Sequence, residues 1–295
     1  MAAKQYKGMN VGVFQVMGDT HTGDPAVVAK KAEDLGFSSY WLPEHTVIPE
    51  GSADEYPGRM EGQPTPDYLF KMPDPLIGLT RAGAVTSTIG LGTGISLIPE
   101  RNPLLTAKEV ATLDHYSGGR FLFGIGAGWN EPECTVLGGD FAHRWTQTKE
   151  SIMAMKALWT GEYVEHHGKY FDFPRVICQP VPARKPHPPI LLGSIGSPRV
   201  FKRVVEWGDG WLPFSIDPQE IADGRAELNK LAAAAGRDPA SVDVTMFAPD
   251  TFFRKPAEID ELAKAGADGV VIWLQGGDEQ SLVSELEDLA GSVFG

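Results

Sequence analysis

At 295 residues, 42% hydrophobic and 22% charged, the chain can bury a sizeable core, and no biased or low-complexity block points to disorder. Its 39 acidic against 26 basic residues leave a net charge of −13, which opposes nucleic acid and anionic membrane surfaces as partners. No apolar run approaches the roughly 20 residues of a membrane span and residues 1–10 carry no apolar signal core, so the chain is expected to be soluble and cytoplasmic.

In chain order, short β-branched runs alternate with longer amphipathic stretches, the mark of successive βα units. The first strand covers residues 11–15; its helix opens on Asp24 as N-cap with Pro25 behind it and stops at Gly36. The second strand, 39–42, leads past His45 into a long Pro- and Gly-rich connection to Pro73, then a helix over 74–85. Connections of that length commonly shape an active-site rim. The third strand is expected over 89–95 and its helix over 103–115 behind Asn102. The fourth strand, 120–125, ends among Gly124, Gly126 and Gly128. After a helix over 148–159, residues 163–189 read as an irregular excursion and the largest insertion. Strands at 190–192, 210–212, 242–247 and 269–272 complete the series. Their helices are one containing Val200 and Val204, then 218–235, 256–265 and 279–289. Eight strands alternating with eight helices predict an α/β fold, a closed parallel (β/α)8 TIM barrel with insertions, as one domain over residues 1–295. An open doubly wound sheet would carry G-x-G-x-x-G after its first strand, and none stands there.

In such a barrel the chemistry lies at the C-terminal ends of the strands. That filter leaves Gln15, Glu44, His45, Ser96, Trp129, Asn130, Glu131, Ser194, Ser197, Trp211, Trp273 and Gln275 as candidates. The turn Gly193-Ser194-Ile195-Gly196-Ser197 joins a strand end to a helix start, where free amides and the helix dipole attract a phosphate; a plain tight loop is the alternative. The run Gly124-Ile125-Gly126-Ala127-Gly128 lacks the spacing and downstream acid of a dinucleotide fingerprint and reads as backbone thinned for a planar ring. Histidine as a residue type titrates near neutral pH, which makes His45 a candidate proton donor, with a capping or core histidine as the alternative. Glu131 and Glu133 lie nearby and receive no catalytic role. Asp114 and His115 close the third helix and face away from the mouth, and His166 and His167 are expected at the surface. No H-x-H follows the first strand, no lysine ends a strand, and Cys134 and Cys178 stand in no metal-ligand spacing. A metal-dependent hydrolase or a Schiff-base aldolase would therefore lack its central residue, and no metal is expected. Apolar and aromatic residues with a few backbone dipoles suit an enzyme whose cofactor does the chemistry.

Several stretches carry a further signal. They are Ala32-Glu33-Asp34-Leu35-Gly36-Phe37 with Trp41-Leu42-Pro43-Glu44-His45, Leu91-Gly92-Thr93-Gly94-Ile95, Arg101-Asn102-Pro103, Leu113-Asp114-His115-Tyr116-Ser117-Gly118-Gly119-Arg120-Phe121, Gly124 to Trp129, the Gly193 turn, and Gly208-Asp209-Gly210-Trp211. Over nearly the whole chain they resemble the luciferase-like monooxygenase superfamily, and within it the actinobacterial coenzyme F420-dependent oxidoreductases. The resemblance implies hydride transfer between F420, a deazaflavin, and a small organic substrate. An FMN-dependent two-component monooxygenase fed by a separate reductase is the alternative, and a non-catalytic flavin-binding protein the third reading. It further implies a homodimer, a non-prolyl cis peptide at Gly94-Ile95 backing the cofactor ring, phosphate contacts at Gly193, Ser194, Ile195, Gly196 and Ser197, and catalysis by His45. Gly126, Gly128, Trp129 and Asn130 are counted among the cofactor contacts. The oligoglutamate tail of F420 would need basic or polar groups at the rim, for which Arg59, Lys71, Arg101 and Arg199 are candidates. Sugar-phosphate oxidation is not implied, because Trp129 stands where that branch has an acid and Pro49 where it has a tryptophan.

Overall fold

The computed structural model describes residues 3–17, 23–57, 65–215, 217–249 and 251–295, and Arg59 lies outside them. Eight parallel strands close on themselves: β1 Met9–Phe14, β2 Ser39–Leu42, β3 Gly90–Thr93, β4 Phe121–Gly126, β5 Ile190–Gly193, β6 Gly210–Leu212, β7 Asp243–Phe247 and β8 Gly269–Trp273. Each pairs with the next. The ring shuts where β8 pairs with β1, from Gly269 opposite Asn10 to Trp273 opposite Phe14.

The helices are α1 Pro25–Leu35, α2 Pro75–Gly83, α3 Pro103–Ser117, α4 Glu131–Val136, α5 Arg144–Leu158, α6 Pro198–Trp207, α7 Pro218–Ala234, α8 Pro256–Lys264 and α9 Glu279–Phe294. Five of them start alike. Asp24, Asp74, Asn102, Ser197 and Asp217 each accept a first-turn amide, and each is followed by proline. The cap satisfies an amide with no intrahelical partner, and proline at that point has no N–H to satisfy.

Two apolar cores follow from the alternation of side chains along the strands. One lies between strands and helices. The other fills the barrel with Phe14, Trp41, Leu191, Leu212, Phe247 and Val271. A bulky residue here needs an empty neighbour: a Cβ on Gly92 would come within 2.1 Å of the Trp41 ring.

The structure corrects three expectations and adds one strand. The third strand stops at Thr93 and resumes as Ser96–Leu97 beside β4, with the Gly94-Ile95 bond between, in the expected cis form. Residues 163–189 are not wholly irregular, because Val164–His167 and Asp172–Val176 form an antiparallel hairpin; with only Phe173 buried, it leaves little apolar alternation to read. An extra short helix, α4, follows β4, and α5 begins at Arg144 rather than at 148. Gln5–Tyr6 adds an antiparallel strand to β1 through Lys7 and Gly8, both at positive φ, as a two-residue type I′ hairpin requires. Among the described residues no helix is long and apolar enough to cross a membrane.

Candidate functional site

All eight strands point the same way, so the segments after β2, β3, β4 and β5 meet at one mouth. His45 stands three residues past β2, its side chain 9% exposed. Its Nδ1 lies 2.6 Å from Glu133 Oε2, and its Nε2 is 3.2 Å from Trp129 Nε1. An indole can only donate, so Nε2 accepts and the proton sits on Nδ1, donated to the carboxylate. Glu133 is fully buried, and its other oxygen accepts the amides of Thr46 at 2.8 Å and Val47 at 3.2 Å. One carboxylate thus orients the ring and holds the loop that carries it. Trp129 also packs edge-on against the His45 ring and tilts against Tyr56, with ring centres 5.4 Å apart in both pairs.

Asn130 brings Glu133 into place. Its Oδ1 accepts the Glu133 amide as the cap of α4, and its Nδ2 donates to Ser52 Oγ at 2.9 Å. At 2% exposure the Asn130 side chain is spent on this scaffold. Sequence reasoning passed over Glu133, yet the six-residue helix behind an Asn cap, with proline second, was the available signal.

Glu44, next to His45, faces away from it. Buried, it accepts from Ser96 Oγ at 2.6 Å and the Leu97 amide at 2.9 Å, and pairs with Arg101 at 2.5 Å. Arg101 also grips Asp74 at 2.7 Å, so the structure corrects its reading as a rim cation: it clamps the segment after the cis bond to the α2 cap. Lys71 pairs with Asp67, and Arg199 is exposed beside the Gly193 turn.

The glycine run after β4 also has a reason other than the one expected. A Cβ on Gly126 would fall 2.0 Å from Ile95 Cδ1, one on Gly193 2.5 Å from Ile95 Cγ2, and one on Gly124 2.0 Å from the Thr93 carbonyl oxygen. The thinned backbone admits Ile95 and the third strand. Gly128 has φ +76, a left-handed conformation that glycine adopts without strain.

In the Gly193 turn, the amides of Ile195, Gly196 and Ser197 have no acceptor among the described residues. They sit at the start of α6, where Ser197 Oγ caps the Val200 amide. The turn is braced from below, because Trp211 Nε1 donates to the Ser194 carbonyl at 2.9 Å and the Gly196 Cα faces Trp211 and Phe201. Unpaired amides at a helix start are receptive to an anion. Of the other candidates, Gln15 is buried and bonded to Tyr40 and Gly23, Glu131 is exposed, the Gln275 amide donates to Glu285, and Trp273 joins an aromatic wall with Phe14 and Tyr68. A cavity of about 670 Å³ opens at the opposite end of the barrel, lined by Asn10, Asp209 and Asp243 among others. None of the residues gathered around His45 lines it.

The model of the family described as luciferase-like monooxygenase matches residues 14–290. An uncharacterized protein of Mycobacterium tuberculosis is 37% identical over 214 residues, 72% of this chain and 75% of that protein. Among solved structures, a monooxygenase from Streptomyces bottropensis superposes with a TM-score of 0.75 at 20% identity, covering 97% of this chain and 99% of that one. An F420-dependent secondary alcohol dehydrogenase in complex with an F420-acetone adduct reaches the same TM-score at 17% identity and the same coverage. At such identity the structural likeness is one of fold.

Proposed function

The chain belongs to the luciferase-like monooxygenase family, and from that premise we propose that it is an oxidoreductase moving hydride between coenzyme F420 and a small organic substrate, with His45 handling the accompanying proton. The observation that carries this reading is the Trp129–His45–Glu133 chain of hydrogen bonds at the same mouth as the anion-receptive turn. The free amides of Ile195, Gly196 and Ser197 suit the coenzyme phosphate, and Gly94, Ile95, Gly128 and Trp129 are the residues proposed to lie against its planar ring. When bound, the coenzyme supplies the hydride chemistry.

The residues of the chain do the rest. His45 Nε2 carries a lone pair directed at the Trp129 N–H. A substrate hydroxyl that displaces this N–H hands its proton to Nε2, and the Glu133 carboxylate, already bonded to Nδ1, stabilises the imidazolium. In the reverse direction the same nitrogen returns the proton to the forming hydroxyl.

Separate titrations of the purified protein with F420 and with FMN test the reading, followed by coenzyme fluorescence. F420 is expected to bind and to be reduced or reoxidised in the presence of an alcohol or carbonyl substrate. Ile195 is 77% exposed, so Ile195→Asp adds a negative charge to the turn without disturbing the core. It is expected to weaken coenzyme binding about fivefold or more, the worth of roughly 1 kcal/mol of repulsion. Binding of FMN alone would move the assignment to a monooxygenase fed by a reductase, and unchanged affinity in Ile195→Asp would place the phosphate elsewhere.

A further inference from the structure

Beneath Gly128 the short 3₁₀ turn Ile98–Glu100 carries a buried carboxyl group. Glu100 is 8% exposed, and both of its oxygens are buried without a hydrogen-bond partner among the described residues. A Cβ on Gly128 would stand 3.1 Å from Glu100 Oε1, so the acid lies directly under the loop that presents Trp129. The charged and titratable groups facing it are Glu133 and Cys134 from α4, Glu44 from beyond β2, and Arg101. From α5, Gln147 donates to the Pro99 carbonyl, while Ser151 Oγ and Arg144 Nε are buried without hydrogen-bond partners among the described residues. Arg101, whose charge acts on Glu100, is engaged by Glu44 and Asp74.

Glu100 therefore sits among carboxylates that already have their counter-charges or donors, and has none of its own. Burial first, then the charges of Glu133 and Glu44, push its pKa up to about 9. At neutral pH it is a neutral acid. We propose that Glu100 is a positioning residue for the proton chain, an acid held neutral under Gly128 whose ionisation places a second negative charge beside Glu133 and strengthens the hold of His45 on its proton. In this step one O–H bond breaks, the proton leaves to solvent, and the added charge favours imidazolium over imidazole. The consequence for turnover rests on the reading of His45 given above; the coupling between the two groups does not.

The test follows the His45 ring nitrogens by NMR and kcat with the loaded enzyme, both across the alkaline range. In the parent the ring resonances should show an inflection near pH 9, matching the Glu100 carboxyl, with a change in kcat at the same pH. Glu100→Gln and Glu100→Leu should each lose that inflection, and the second variant serves if the first does not fold. Cys134 titrates higher, its thiol pushed to about 11 mainly by burial, so Cys134→Ser should keep the inflection. Persistence of the inflection in a folded Glu100 variant, its loss in Cys134→Ser, or its absence from the parent would overturn the proposal. A ring inflection that kcat ignores leaves the coupling standing and removes His45 from proton transfer.

Discussion

Glu133 is what gives His45 a defined tautomer, the condition for the proton handling proposed for it. His45→Ala is expected to lower kcat by about 10²- to 10⁴-fold, the usual worth of a general acid or base, with coenzyme binding largely kept. It should also alter the pH–rate profile, and a stable variant with an unaltered profile would take His45 out of the mechanism. Glu133→Gln tests the partner. Its amide oxygen can still accept the Thr46 and Val47 amides, but its NH₂ group would face Nδ1 and force the proton to Nε2, against the Trp129 N–H. The variant should fold, melt near the parent temperature, and lose at least about tenfold in kcat, because the imidazolium has no counter-charge.

At the scale of elements, two contacts join pieces that local pattern would leave independent. Ile95 occupies the space that Gly126 and Gly193 leave empty between β4 and β5. Gly126→Ala is expected to cost about 1–3 kcal/mol by overpacking, and Ile95→Ala in the same chain should recover part of it; additive losses in chemical denaturation would refute the contact. The second contact is Glu33 of α1, which is 6% exposed. Its Oε1 accepts the amides of Ser87, Thr88 and Ile89 and so ties α1 to the start of β3. These bonds outweigh burial, the largest opposing effect, and hold its pKa down to about 2. Because the folded value is depressed, the stability it contributes is present above the unfolded value near 4.5 and fades as pH falls toward 2. Glu33→Gln should cost about 2–3 kcal/mol at neutral pH, with the gap to the parent closing over that acid window.

The whole molecule depends on closure. β8 seals the ring against β1 through five residue pairs, and α9 packs beside α1. A chain ending before residue 269 would expose the edges of β1 and β7 and leave both cores open. It is expected to show no cooperative thermal transition and to be cleaved rapidly by protease, whereas a sharp melt would show that the ring can stand open. The sequence by itself determined the count and order of βα units and where most helices begin, because strand periodicity, Asx or Ser caps followed by proline, and Gly stops are local signals written within a few residues. It also pointed to His45 and the Gly193 turn, since strand ends can be located along the chain. What only the tertiary structure decided lies between elements: Glu133 meeting His45 across 88 positions, Arg101 spent on Glu44 and Asp74, the β4 glycines yielding to Ile95, and Glu100 left without a partner. Those pairings follow from which strand ends converge at the mouth and at what height, a consequence of ring closure and register that no local pattern contains.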